Sequence, residues 1–146
     1  HSFPTRRSSD LFPYLGNESS CVLRISNAYG AILLTGDIGQ VVERQLLAAD
    51  ASRLRADVVL APHHGSAGSS QAALVRATGA RLALVSAGRG NRFGHPDVQV
   101  VRRWRQAGAE VLGTADSGAL RVWLDARGLA VRERRSWRKR LWHGAG

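Results

Sequence analysis

The chain has 146 residues, 44% of them hydrophobic, enough for one domain with a real core. Its formal net charge of +10 favours polyanionic partners through counterion release and long-range steering. Cys21 is the single cysteine, which excludes an intrachain disulfide and a thiolate metal cluster, and no apolar run approaches the roughly 18 residues of a membrane span.

Residues 1–11, HSFPTRRSSDL, have no hydrophobic period and no apolar core of the kind a secretory signal carries. They resemble a translated sequencing adapter and are set aside as a scar standing where the original upstream sequence would be. From residue 21 the pattern is regular. Cys21–Ile25 alternates as a strand, Asn27–Gly30 is a turn signal, and Ala31–Leu34 is the second strand of a hairpin. Val42, Leu46 and Ala49, with Leu47 beside them, recur at helical spacing and predict a helix over about 39–49. Asp57–Leu60 is a short strand running into His63 and His64.

Ser69 or Ser70 is placed to N-cap a helix ending near Ala77, with Gly79 just beyond it. Arg81–Val85 is a further strand, and Ala87–Pro96 a glycine-rich loop. Pro96 suits the first turn of a helix whose apolar stripe is Val98, Val101 and Trp104. Strands near 109–113, 119–124 and 129–133 follow, the last two joined by the turn Asp125–Gly128. Residues 132–140 hold six basic side chains and one acidic, and 132–146 reads as a basic tail. Helices alternate with short apolar strands, so the fold class is α/β, layered as α+β.

Polar groups gather just past three successive strand ends, where ligand and catalytic groups collect in α/β sheets. After the second strand comes LLTGDIG: the two oxygens of Asp37 could bridge two ions, or Asp37 could cap the helix that follows. After the third comes APHHGS. Imidazole is a common ligand of zinc and related ions, and in an extended segment His63 and His64 would point opposite ways, so one would ligate and the other could touch substrate or support the ligand. Ser66 and Ser69 lie in the Ser/Gly run beyond, whose N–H groups suit a phosphate. After the fourth comes GRGNRFGHP, in which Arg89, Asn91, Arg92 and His95 are candidate phosphate contacts. The serine spacing is not that of a nucleophile elbow.

The blocks SSCVLRI, ILLTGDIG, LRADVVLAPHHGSAGSS, SAGRGNRFGHP and VRRWRQAGAEVLGTADSGAL, over about residues 17–125, resemble the C-terminal metallo-β-lactamase-like domain of ComEC-type DNA-uptake channels of competent bacteria. The resemblance implies a four-layer αββα fold binding two divalent ions, Zn or Mn, and nuclease action on the DNA strand that is not imported. Carried over, Asp37 is the bridging aspartate, and His63 or His64 the late histidine ligand. Asp37 and His64 are then the catalytic pair, with His95 on the substrate side. The family's early H-x-H-x-D-H motif is absent from this chain. Residues 12–131 therefore read as the C-terminal half of the domain. Its first half and a membrane channel are expected upstream, with the domain outside the bacterial inner membrane. On this reading the chain is a competence-protein fragment that binds metal incompletely and is inactive alone, with single-stranded DNA as the parent's partner. Two other readings stand beside it: a non-catalytic DNA-binding module gripping the backbone through its basic tail, Trp137 and Trp142, and a hydrolase of the same fold acting on another phosphoester.

Overall fold

Asn27 closes the first hairpin. Its side-chain oxygen accepts the N–H groups of Tyr29 (2.8 Å) and Gly30 (3.1 Å), an Asx turn that folds strand β1 (Leu23–Asn27) back along β2 (Gly30–Leu34). The pairing is antiparallel and sets Leu23 opposite Leu34 and Ile25 opposite Ile32. The computed structural model describes residues 16–137; the suspected scar and the end of the basic tail, Trp142 included, lie outside the described residues. Within them the chain continues through α1 (Gln40–Asp50), β3 (Val58–Leu60), α2 (Ala72–Thr78), β4 (Leu82–Val85), α3 (Val98–Gln106), β5 (Glu110–Gly113), the short α4 (Thr114–Ser117), the hairpin β6 (Leu120–Asp125) and β7 (Gly128–Glu133), and the short α5 (Arg134–Trp137). The α/β class expected from the alternating pattern is what forms. No helix among the described residues is long and apolar enough to cross a membrane.

The five-stranded sheet runs β1-β2-β3-β4-β5, with β2 to β5 parallel. Parallel crossovers share one hand, so a sheet that never reverses its strand order sends every connecting helix to the same face. The core lies there. Ala31, Leu33, Val59 and Ala83 from the strands meet Leu74 and Val75 of α2 and Val100 and Trp104 of α3, all almost fully buried. The opposite face carries the alternate side chains. The β6–β7 hairpin rests beside β2 there, where Asn27 donates its amide N–H to the Leu124 carbonyl (3.0 Å). On β1 the apolar side chains stay open: Leu23 is 54% and Ile25 52% exposed.

The structure corrects several local expectations. α3 begins at Val98 with Asp97 as its N-cap, accepting from Gln99 and Val100, so Pro96 precedes the helix; the His95–Pro96 peptide is cis. The buried stripe of α3 is Val100 and Trp104, four residues apart, while Val98 is exposed. Residues 132 and 133, read both as the end of a strand and as the start of the tail, complete β7, and the Arg135 guanidinium is docked on the Ala115 and Asp116 carbonyls.

Neither Ser69 nor Ser70 caps α2. Gln71 holds the cap position without a side-chain bond. The carboxylate of Glu43, fully buried inside α1, instead fixes the segment leading into the helix: it accepts the N–H groups of Ser70 (2.5 Å) and Gln71 (2.8 Å). Arg103 of α3 donates to the Ser69 and Ser70 carbonyls (3.3 and 2.5 Å) and completes the junction.

Burial pushes the Glu43 carboxyl above its ordinary value of 4.5, against the opposing pull of the two backbone N–H bonds and Arg103. A carboxyl whose pKa is higher in the folded than in the unfolded chain contributes most below the unfolded value, and loses that contribution as pH rises through the folded one. Thermal melts of the wild type and Glu43→Gln should therefore differ most in the wild type's favour near pH 4, by roughly the onset of carboxylate titration, and less as pH rises toward neutrality. A difference independent of pH contradicts this.

Candidate functional site

The chain leaves β3 through a tight turn, Pro62–Gly65, in which three consecutive residues are left-handed: His63 (φ 49°, ψ 47°), His64 (φ 56°, ψ 21°) and Gly65 (φ 76°). The segment is thus not extended, and strand alternation does not decide where the two imidazoles point. Left-handed non-glycine residues cost on the order of 1–3 kcal/mol each and persist only where the surroundings hold them. Here the His63 N–H donates to the Gly36 carbonyl (3.0 Å), the Ser66 N–H to His63 (2.9 Å), and the Asp97 N–H to Gly65 (2.8 Å). The Ser69 hydroxyl donates into the turn, 2.8 Å from both the Pro62 and Ser66 carbonyls. Ser69, expected to face a phosphate, is thereby placed inside the turn and is fully buried. Ser66 is partly exposed, and its hydroxyl accepts the Gly68 N–H (3.3 Å).

This backbone carries His64 to Asp37. The His64 Nε2 lies 3.5 Å from Asp37 Oδ1, and the two side chains are 48% and 41% exposed. On its other edge His64 Nδ1 is 2.6 Å from the Ser86 carbonyl oxygen at the end of β4. A carbonyl only accepts, so Nδ1 holds the proton, and in the neutral ring the lone pair sits at Nε2, facing Asp37. Metal-binding histidines use this arrangement, with one ring nitrogen fixed by a neighbouring carbonyl and the other free to ligate. Asp37 does not cap α1: Gly39 is its N-cap, without a side-chain bond, and the Asp37 N–H donates to the Ser20 hydroxyl (3.2 Å).

His63 turns elsewhere. Its Nε2 accepts from the Asn17 amide (3.0 Å), and its ring lies 6.4 Å from that of His64 and 6.2 Å from that of His95. Among the described residues no group of three His, Cys, Asp or Glu side chains comes together as metal ligands. Asp37 and His64 alone do not make a complete metal centre.

The third element is the loop between β4 and α3. Asn91, expected to meet a phosphate, braces this loop. Its amide N–H groups donate to the carbonyls of Gly88 (3.0 Å) and His95 (2.7 Å), and its oxygen accepts the His95 N–H (3.0 Å). Arg89 and Arg92 are exposed, and the Arg92 guanidinium lies 4.8 Å from the centre of the Phe93 ring. His64, Ser86, Asn91, Phe93 and His95 line one cavity, so the loop is brought to the Asp37–His64 pair.

Sequence reading missed three contributors. Glu43 could have been found, since helical spacing puts it on the inward side with Leu46 and Leu47. The Ser86 carbonyl carries no side-chain signal. Gly65 shows its role only in three dimensions: a Cβ there would lie 2.7 Å from the Pro96 Cβ.

No protein-family model matches the chain, and no solved structure matches it at the significance required. Curated proteins do. It is 34% identical over 122 residues to Competence protein ComA of Neisseria gonorrhoeae, covering 84% of this chain and 18% of that protein. Over 108 residues it is 31% identical to ComE operon protein 3 of Bacillus subtilis, covering 74% of this chain and 14% of the relative. An uncharacterized protein of Escherichia coli, YcaI, is 33% identical over 116 residues, or 80% of this chain and 15% of the relative. The chain thus spans less than a fifth of the length of these relatives.

Gly65→Ala combines a left-handed φ with that clash against Pro96, and should destabilise the fold by about 1–3 kcal/mol in denaturant unfolding. The same substitution at Gly90, also left-handed but with nothing near its Cβ position, should cost less. Equal losses at both positions would mean that the Pro96 contact has no role.

Proposed function

We propose that this chain is part of a competence-type DNA-uptake protein, and that Asp37 and His64 are two ligands of a divalent-metal phosphodiesterase centre completed by groups outside the described residues. The observation that carries the reading is His64 held by the Ser86 carbonyl with its free nitrogen turned to Asp37, on a backbone strained to put it there. The names of the relatives, a competence protein among them, agree with it. An imidazole and a carboxylate suit Zn²⁺ or Mn²⁺. Arg89 and Arg92 would hold the phosphate of a DNA backbone beside them, with His95 on the substrate side. His63, at the Asn17 amide, is either a further ligand or a substrate contact. In the longer parent this domain would lie outside the inner membrane, next to the channel through which DNA passes, and against the first half of its own domain.

Two protein ligands are too few for a two-ion centre, so the chain alone should bind Zn²⁺ or Mn²⁺ weakly and leave DNA uncut. Isothermal titration should show weak binding that Asp37→Ala or His64→Ala lowers at least about tenfold. Tight binding of two ions, or turnover in a nuclease assay, would overturn the assignment of these two residues as part of an incomplete centre.

One observation favours a second reading, a DNA-binding module without catalysis. On the β6–β7 hairpin the guanidinium groups of Arg121 and Arg132 lie 5.8 and 5.7 Å from the Trp123 ring, the kind of basic and aromatic surface that grips a single strand. Under this reading Trp123→Ala, or truncation after Trp137, removes DNA binding, whereas the metal-centre reading leaves the weak ion binding of both variants intact.

A further inference from the structure

Phe93 has no part in the core. It is 65% exposed at the lip of the cavity shared by His64, Ser86, Asn91 and His95. The loop that presents it is braced. The three Asn91 side-chain bonds are joined by the Gly94 N–H donating to the Asn91 carbonyl (3.2 Å). The Phe93 ring lies nearly parallel to that of His95, 5.8 Å away at 18°, and His95 in turn meets His63. An exposed aromatic ring next to a guanidinium and an imidazole, in the cavity that His64 also lines, offers a planar apolar surface to solution.

We propose that Phe93 is a stacking platform for one unpaired nucleobase, and that it makes this site select single-stranded over double-stranded DNA. This rests on the reading that the chain contacts DNA at this end of the sheet. Base–aromatic stacking outweighs a cation–π pair at an exposed site, so an incoming base displaces Arg92 from the ring. The released guanidinium then meets the phosphate next to that base, and charge and stacking are satisfied together. A duplex offers its base edges and backbone but keeps its faces stacked, so the ring has nothing to receive from it. Asn91 fixes the loop so that the ring is already in place before a strand arrives, which lowers the ordering cost of binding.

The test uses the full chain at low salt, with fluorescein-labelled oligo-dT as the probe and long linear duplex DNA as the competitor. Phe93→Ala should weaken oligo-dT binding about tenfold and leave the duplex affinity unchanged. Phe93→Trp should keep the oligo-dT affinity, with added indole fluorescence that oligo-dT quenches. Because the side chain is mostly exposed, both variants should melt at the wild-type temperature. The proposal is overturned if Phe93→Ala binds oligo-dT as the wild type does, or if it loses oligo-dT and duplex in equal proportion. A wild type that binds neither DNA overturns the DNA reading itself, and this proposal with it.

Discussion

Three left-handed residues in a row, His63, His64 and Gly65, are the constraint on which the rest of this end of the molecule depends. No single contact holds them. The loop after β2 supplies the Gly36 carbonyl, the loop after β4 supplies the Ser86 carbonyl, and the start of α3 supplies the Asp97 N–H. Two strand ends and a helix start are tied to one turn, and the turn is shaped by what ties it. Pro96 stands against Gly65, where any side chain would collide, so the close approach of α3 to the turn depends on the missing Cβ.

The sheet order makes that convergence possible. With β2, β3 and β4 parallel and adjacent in chain order, the loops that leave their C-terminal ends emerge side by side at one edge. The same order sends the helices to one face; on the other, Val58 and Leu82 are buried, Ile32, Leu34, Leu60 and Leu84 only partly so, and Leu23 and Ile25 stay open. The fold therefore gathers chemistry at an edge and apolar surface on a face. The two features have one topological cause.

Much of this was legible in the sequence, because it rests on short-range rules. The Asn27–Gly30 turn, the strand-to-helix alternation and the placement of Asp37, His64 and the 88–95 loop past successive strand ends all follow from residue type and period. What escaped was set by contacts distant along the chain. Ser69 and Ser70 have the chemistry of a helix cap, but the entry to α2 is fixed by Glu43, 27 and 28 residues away from the N–H groups it accepts. Val98 fits a helical stripe, yet α3 docks through Val100 and Trp104 because its start is fixed by Asp97 and by the turn at Gly65. The left-handed backbone at His63 and His64 runs against local preference, and nothing within a few residues announces it.

The Asp37–His64 pair does not by itself hold that turn. By comparison, Asp125 and Arg127 pair at 3.0 Å across a hairpin turn whose non-glycine residues keep negative φ. Asp37 and His64 are 3.5 Å apart and close to half exposed, so even with His64 protonated a solvated pair of this kind contributes only about 0–1 kcal/mol. The two strained histidines cost on the order of 1–3 kcal/mol each, which exceeds it. The hydrogen bonds that tie the turn to Gly36, Ser86 and Asp97 offset that cost, and they leave a carboxylate and a fixed-tautomer imidazole facing solution beside a braced loop that carries Arg89 and Arg92.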